Sequence, residues 1–158
     1  MPSLSQLIEG YLEGPAALRK AVAGMSKDQL QARPVAGKWS TLEVVCHLAD
    51  FDPILADRMK RIIAEDQPQL LGASEKHFAA ALAYHQRDLE EELTLIEKTR
   101  SQLARILRTL PAEALQRTGV HNERGPLTLE RMLTLAGNHI PHHIPFIQEK
   151  RAALGLTV

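Results

Sequence analysis

Residues 128–153, TLERMLTLAGNHIPHHIPFIQEKRAA, predict one long amphipathic helix near the end of the chain. On a helical wheel of about 100° per residue with His139 at zero, His143 lies at about 40°. Five apolar side chains fall on the same face, between about −40° and 80°: Met132, Leu135, Ala136, Phe146 and Ile147. Both histidines therefore lie on the face that should pack into the protein. His142, at about −60°, is at the edge of this face and is a weaker candidate for a buried role.

Three further helical patterns precede this segment and predict helices over residues 3–23, 40–65 and 77–110, with a short extra turn near Ser26. Ser40 and Glu43 have the spacing of a capping box, which is typical of a helix start. Residues 66–76 read as a connection and residues 118–126 as a loop. Aromatic residues make up only 4% of the chain, which favours helix over strand. The sequence therefore predicts an all-α, four-helix bundle in one domain spanning residues 1–158.

A third histidine also lies on an apolar helix face. On a wheel of the second long helix, Phe51 and Val44 lie about 40° and 60° from His47. Two imidazoles at positions i and i+4 can bind one metal ion from one helix, and an imidazole from a facing helix completes a three-histidine site. The residues thus favour a metal site at His47, His139 and His143. The alternative is that they are ordinary core histidines, since HxxxH alone is a weak signal and Ile140 stands where a zincin would have glutamate.

Pro141 and Pro145 lie beside two of these candidate ligands. Proline removes a helix hydrogen bond and crowds the carbonyl one turn earlier, so a kink is expected here. Pro141 lies about 160° to 200° from both histidines on the wheel. A kink with this proline on its convex side would keep both imidazoles facing the core.

The overall composition excludes several classes of partner. Lys plus Arg and Asp plus Glu number 19 each, so the fixed charges favour neither nucleic acid nor an anionic membrane surface. No segment approaches the length of a membrane-spanning helix, and the N-terminal residues lack the pattern of a signal peptide. Cys46 is the only cysteine, so no intrachain disulfide is required. We therefore expect a soluble, cytoplasmic protein.

Three segments resemble the DinB/YfiT-like superfamily of proposed metal-dependent enzymes: GKWSTLEVVCHLADFD (37–52), GVHNERGPLTLERM (119–132) and HIPHHIPFI (139–147). The resemblance implies a four-helix bundle, often paired as a homodimer, with a divalent metal ion bound by His47, His139 and His143. Zinc or nickel is the expected metal, with iron, cobalt and manganese as alternatives. Neutral imidazole ligands imply that the affinity should fall as the pH drops through about 6.5.

The resemblance also implies a small-molecule substrate, because several members use low-molecular-weight thiols in S-transfer reactions. A metal ion with an open coordination position can hold a thiolate or activate water. The leading hypothesis is therefore a metal-dependent enzyme, with thiol S-transfer as one reaction. The alternatives are a metal-binding stress or interaction protein without turnover, and a metal-free bundle that binds partners. No residue stands out in the sequence as a general base.

Four other residues have simpler interpretations. Asp50 lies one turn after His47 and is expected to be an exposed carboxylate rather than an imidazole partner. His121 is expected to be a solvated loop histidine. Trp39 and Cys46 are expected to contribute packing, not ligation.

Overall fold

The computed structural model describes residues 1–157 and contains the predicted bundle of four long helices. The helices and strands are α1 Leu4–Val22, α2 Lys27–Gln31, α3 Thr41–Ala64, β1 Gln69–Leu70, α4 Glu75–Ala81, α5 Leu89–Leu107, β2 Thr118–His121, β3 Gly125–Thr128 and α6 Leu129–Ala153. Two turns of 3-10 helix lie at Tyr84–Gln86 and Ala112–Gln116. The bundle consists of α1, α3, α5 and α6, and the predicted extra turn near Ser26 is α2.

Hydroxyl side chains cap the starts of three of the four long helices, α1, α3 and α6. The Ser40 hydroxyl accepts a hydrogen bond from the Glu43 N–H, and the Glu43 side chain accepts one from the Ser40 N–H. This is the predicted capping box, and it satisfies two backbone donors that a helix start leaves unpaired. Thr128 caps α6 by accepting from the Arg131 N–H.

The four long helices are arranged as a ring. α1 packs on α5 and α6, and α3 packs on the same two helices, so α1 and α3 occupy opposite corners. The apolar core between them is lined mainly by aliphatic and methionine side chains, including Leu18, Met59, Leu103 and Met132. Within residues 1–157, no helix is both long and apolar enough to cross a lipid bilayer.

A buried ion pair joins all four helices at the centre of the bundle. The Arg100 Nη2 atom lies 2.7 Å from Asp52 Oδ1, and neither side chain is more than 2% exposed. Arg100 also donates to the carbonyls of Tyr11 and Ala136, at 2.7 and 3.0 Å. Gly14 makes room for this guanidinium, because an added Cβ would lie 2.7 Å from Arg100 Nη1. The pair therefore links α5 to α3, α1 and α6.

The prediction of one continuous helix over 77–110 was wrong. α4 ends at Ala81, and Ala83 adopts a left-handed backbone with a φ of 52° before the 3-10 turn. Asp88 then begins α5 by accepting a hydrogen bond from the Glu91 N–H. An aspartate in this position competes with helix continuation and favours a new helix start, which the apolar periodicity alone does not reveal.

The prediction of a loop over 118–126 was also wrong. β2 and β3 form an antiparallel hairpin, and β1 pairs with β2 in parallel, giving a three-stranded sheet. The sheet packs closely on α3, because an added Cβ at Gly119 would lie 2.9 Å from Leu70 Cδ1 and 3.0 Å from Ile62 Cγ1. These strands are held by tertiary packing and are too short to show a period of two in the sequence.

Candidate metal centre

His47 lies in the most buried part of α3. Residues 41–49 of this helix are all buried, and His47 itself is 1% exposed. Its ring packs between Trp39 and Phe51, with ring centroids 5.3 and 4.7 Å away. The predicted inward orientation of His47 is therefore what the structure shows, and Trp39 serves as packing, as expected.

His139 and His143 lie one turn apart on α6, and both are half-buried. α6 is helical throughout, and Pro141 and Pro145 lie within it at exposed positions. The two prolines thus occupy the outer side of the helix while both imidazoles face α3. His142 is exposed, in agreement with its position at the edge of the apolar face.

The structure brings these three imidazoles together into a compact cluster. One ring nitrogen from each of His47, His139 and His143 lies within 4.8 Å of the others. His47 Nε2 and His139 Nε2 are 3.1 Å apart, which is hydrogen-bond distance between a protonated and an unprotonated nitrogen. We refer to these three residues as the histidine cluster. Three nitrogens at this spacing could hold one metal ion.

Burial keeps the histidine cluster neutral. It lowers the pKa of His139 to about 3 and that of His143 to about 4, and the neighbouring His47 ring adds to both shifts. The pKa of His47 is also lowered, mainly by burial. A neutral imidazole retains a lone pair for a metal ion, so the three side chains are in the protonation state that ligation requires.

Two imidazole nitrogens of the cluster have no protein partner. The Nδ1 atoms of His47 and His139 are buried and make no hydrogen bond within residues 1–157. Metal-binding histidines are usually oriented by an acceptor at the second nitrogen. Asp50 does not play this role, and the expectation that it is exposed was wrong, because both of its oxygens accept from Arg87. Aromatic packing therefore orients the His47 ring.

A carboxylate lies beside the cluster. Glu75 Oε2 is 3.8 Å from His47 Nε2, and the Glu75 side chain is 63% exposed. Glu75 occupies the first turn of α4, which Ser74 caps. Glu75 was not predicted as a site residue, because residues 66–76 read as a connection. The only available signal was the serine followed by a short apolar segment, which is weak by itself.

An open cavity of about 720 Å³ adjoins the cluster. Its lining includes His47 and His139 on one side and His121 at the end of β2. His121 is 5% exposed, so the prediction of a solvated loop histidine was wrong. It is buried because β2 pairs with both β1 and β3, and this pairing depends on contacts distant in the sequence.

The arrangement fits a divalent metal ion chemically. Neutral imidazoles suit zinc, nickel, copper, cobalt and iron, and three protein ligands leave coordination positions for water or substrate. Cys46 contributes no ligand, because its thiol is buried and contacts the Tyr84 carbonyl. Fold and site together define a four-helix bundle with a histidine cluster that opens to a cavity.

Comparison with known proteins identifies the family. The model of the DinB superfamily matches residues 11–147, so the chain belongs to this superfamily. A Bacillus subtilis (strain 168) protein named "Putative metal-dependent hydrolase YfiT" is 31% identical over 144 residues, covering 90% of this chain and 81% of the relative. An Oceanobacillus iheyensis protein with the same description is 29% identical over 133 residues, covering 84% of this chain and 77% of the relative.

A solved structure supports the same assignment. The structure of YfiT from Bacillus subtilis matches with a TM-score of 0.90 at 29% identity, covering 98% of this chain and 89% of that one. It is described as a probable metal-dependent hydrolase with an unusual four-helix bundle topology. The resemblance noted from the sequence motifs is therefore confirmed for family and fold.

Proposed function

We propose that this protein is a metal-dependent enzyme that binds one divalent ion through His47, His139 and His143 and acts hydrolytically on a small-molecule substrate. One observation carries the proposal: three neutral imidazoles converge beside an open cavity, and the buried Nδ1 atoms of His47 and His139 have no hydrogen-bond partner among residues 1–157. Uncompensated burial of polar groups is costly, and such sites are concentrated where a protein binds or reacts. The names of its relatives are consistent with this function.

A bound divalent ion would supply Lewis-acid chemistry, lowering the pKa of a water molecule or thiol and polarising a substrate oxygen. Zinc and nickel are the leading candidates because imidazole nitrogen suits both, and iron, cobalt and manganese are alternatives. The histidine cluster would position the reacting group, and the surrounding Trp39 and Phe51 rings would limit access of bulk water from the α3 side.

Glu75 is the residue that we propose as the proton acceptor. Its Oε2 atom is 3.8 Å from His47 Nε2, so a water molecule or thiol held at the cluster would lie within its reach. A carboxylate in this position can accept a proton as the nucleophile attacks and return it to the leaving group. The sequence by itself suggested no such base.

Thiol S-transfer is the second reaction to consider, because the family resemblance implies it. The thiol would have to be a substrate, since Cys46 is buried and burial raises its pKa to about 12. A metal-binding protein without turnover is the remaining alternative.

The test begins with the metal content of untagged protein, which should be about one ion per chain. The same preparation is then screened against esters and amides, and against electrophiles with and without a low-molecular-weight thiol. H139A should lose both metal and turnover, whereas E75Q should retain metal and lose most turnover. Hydrolysis without thiol supports the first reaction, and strict dependence on thiol supports the second. Metal uptake without any turnover would leave a binding protein, and absence of uptake would refute the site.

We further propose that the protein forms a homodimer, which the family resemblance implies. Leu71, Leu82 and Leu95 are 72%, 42% and 43% exposed, so large apolar side chains are available for contacts with a second chain. Light scattering should give about twice the chain mass of 17.6 kDa. A mass of one chain at every concentration would contradict the dimer.

A further inference from the structure

The cavity beside the histidine cluster has a second group of polar side chains at the sheet. Arg58 on α3, His121 on β2 and Arg124 in the hairpin turn line the same cavity as His47 and His139. Arg58 follows His47 by 11 positions on α3. This separation corresponds to about three turns, or about 16 Å of helix, so the two groups mark different parts of the cavity. We call these three residues the cationic end.

The Arg58 guanidinium has little compensation for its charge. Its Nη2 atom donates to the Leu71 carbonyl at 2.5 Å, while its Nε atom is buried without a hydrogen-bond partner. Among residues 1–157, no carboxylate lies within ion-pair distance of Arg58 or of Arg124. Burial holds the pKa of Arg58 below its usual range and the nearby Arg124 lowers it further, while the carboxylates of Glu123 and Asp57 act in the opposite direction. An anion placed between the two guanidiniums would compensate the buried charge of Arg58 and offset the repulsion between Arg58 and Arg124.

His121 adds a neutral donor to the cationic end. Its Nδ1 atom accepts a hydrogen bond from the Glu123 N–H at 3.1 Å. The proton of the neutral ring must therefore be on Nε2, which is free to donate to a ligand. Burial lowers the pKa of His121, and the charge of Arg58 lowers it further, which favours the neutral ring.

The charges around the cavity leave a surplus of cations. Three cationic side chains and two carboxylates line it. One carboxylate, Glu75, lies at the histidine cluster. The other, Glu123, lies at the cationic end, where its charge acts on Arg58 and His121 and its Oε2 atom would be 2.8 Å from a Cβ added at Gly72, so two guanidiniums and one carboxylate meet there. The Gly72 N–H also donates to Asn122 Oδ1 at 2.9 Å, which ties the hairpin turn to the segment before α4. Arg124 is thus presented by an anchored turn.

We propose that Arg58, His121 and Arg124 form a subsite for a carboxylate group of the substrate, while the reacting bond lies at the histidine cluster. The position of the reacting bond rests on the proposed function, but binding of a carboxylate at the cationic end does not. Two guanidinium groups and an imidazole N–H are the donors that recognise a planar carboxylate. The structure therefore assigns the substrate to small molecules that carry an acidic group away from the bond that is cleaved or substituted.

The test uses glutarate and its neutral isostere glutaramide as probes for the full-length protein, in both metal-free and zinc-loaded forms. Amide and imidazole NMR signals report where each probe binds, and titration gives its affinity. Glutarate should shift the signals of residues 121–124 in both forms, whereas glutaramide should not. R124Q alters an exposed side chain and should weaken glutarate binding about tenfold or more. R58K tests the second guanidinium, and R105Q is the control, because Arg105 is also exposed but lies outside the cavity.

Each outcome decides the proposal. Glutarate shifts that are lost in R124Q and R58K but retained in R105Q support the subsite, even if the protein takes up no metal. Equal shifts from glutarate and glutaramide would overturn it, as would equal weakening in R124Q and R105Q. Binding seen only in the zinc-loaded form, and abolished by H139A but not by R124Q, would place the carboxylate at the metal and refute the subsite while preserving the proposed metal centre.

Discussion

Two of the polar groups inside this bundle, the pair of Arg100 with Asp52 and the histidine cluster, differ in how their hydrogen-bonding atoms are satisfied. Arg100 and Asp52 are both buried and make a two-pronged ion pair, and Arg100 also donates to two backbone carbonyls. The histidine cluster is partly buried as well, yet two of its Nδ1 atoms have no partner in the described part of the chain, residues 1–157.

The difference separates a structural role from a proposed binding role. A buried ion pair whose donors are satisfied holds its helices in one arrangement, and removal of one partner leaves an uncompensated charge. In the histidine cluster two Nδ1 atoms are unpaired among residues 1–157, and the 3.1 Å contact between Nε2 atoms joins two of the rings themselves, so the cluster can exchange it for a ligand. Mutations in the two groups should therefore have opposite consequences for folding and for metal binding.

The largest effect on folding is expected at the ion pair. Asp52→Ala should lower the free energy of unfolding by ~3–5 kcal/mol, because the Arg100 charge stays buried without its partner. Urea denaturation measures the loss. The matched control is Asp57→Ala, since Asp57 makes an exposed pair with Arg61 and should contribute less than about 1 kcal/mol. The double variant D52A/R100M removes the unpaired charge and should be more stable than D52A. If it is not, the buried charge does not cause the loss of stability.

The next effect should appear only when metal is present. Alanine at His47, His139 or His143 should abolish the stabilisation by zinc, which is about 2–3 kcal/mol when free zinc is about a hundred times the Kd. The metal-free stability of each variant is compared separately, because His47→Ala and His139→Ala also remove the 3.1 Å contact between their Nε2 atoms, and His47 is buried. Thermal unfolding with zinc and with a chelator measures both quantities. His142→Ala is the control and should retain the zinc effect, since His142 is exposed. An equal loss in H142A and H143A would contradict the assignment.

The pH dependence should differ from that of an exposed histidine site. The pKa of His139 is about 3 and that of His143 about 4 in the folded protein, against about 6.5 in an unfolded chain. At pH values between about 4 and 6.5, the folded protein therefore binds fewer protons than the unfolded chain. The free energy of unfolding of the metal-free protein should accordingly fall as the pH drops below about 6.5.

Metal affinity should begin to fall at a lower pH than it would at a site of exposed histidines. The imidazoles of His139 and His143 are already neutral at about pH 6, so their protonation should not weaken metal binding between about pH 7 and 6 and should do so only nearer pH 4. Unperturbed histidines would instead begin to lose metal near pH 6.5. Cobalt titrations followed by absorption measure the affinity. A steep decline starting at about pH 6.5 would show that burial does not depress these pKa values.

The smallest effect on folding is expected for Glu75. Glu75→Gln should leave the free energy of unfolding unchanged within about 0.5 kcal/mol, because the side chain is 63% exposed. Turnover should fall while zinc affinity changes little, since Gln preserves size but cannot accept the proton. Glu113→Gln is the control, since it makes the same chemical change at an exposed residue outside the cavity and should retain turnover. Unchanged activity in E75Q would exclude Glu75 as the proton acceptor.

Local patterns were sufficient for the long helices and for the inward orientation of His47, His139 and His143. Apolar periodicity and the capping box at Ser40 are short-range features, so they predicted α1, α3 and α6 to within a few residues. The break at Ala83 and the strands around His121 were missed, because a left-handed residue and a three-stranded sheet have no strong local signature in these segments.

The sequence by itself determined the family, the four long helices and the three histidines that share apolar faces, because each depends on spacing along one helix or on a local motif. Which polar side chains have hydrogen-bond or ion-pair partners depends on the tertiary structure. It paired Arg100 with Asp52 and Arg87 with Asp50, and it placed Glu75 beside the histidine cluster and His121 in the lining of the same cavity. The physical reason is that hydrogen bonding and burial depend on residues from different helices and strands, and side-chain periodicity within one element does not specify its partners.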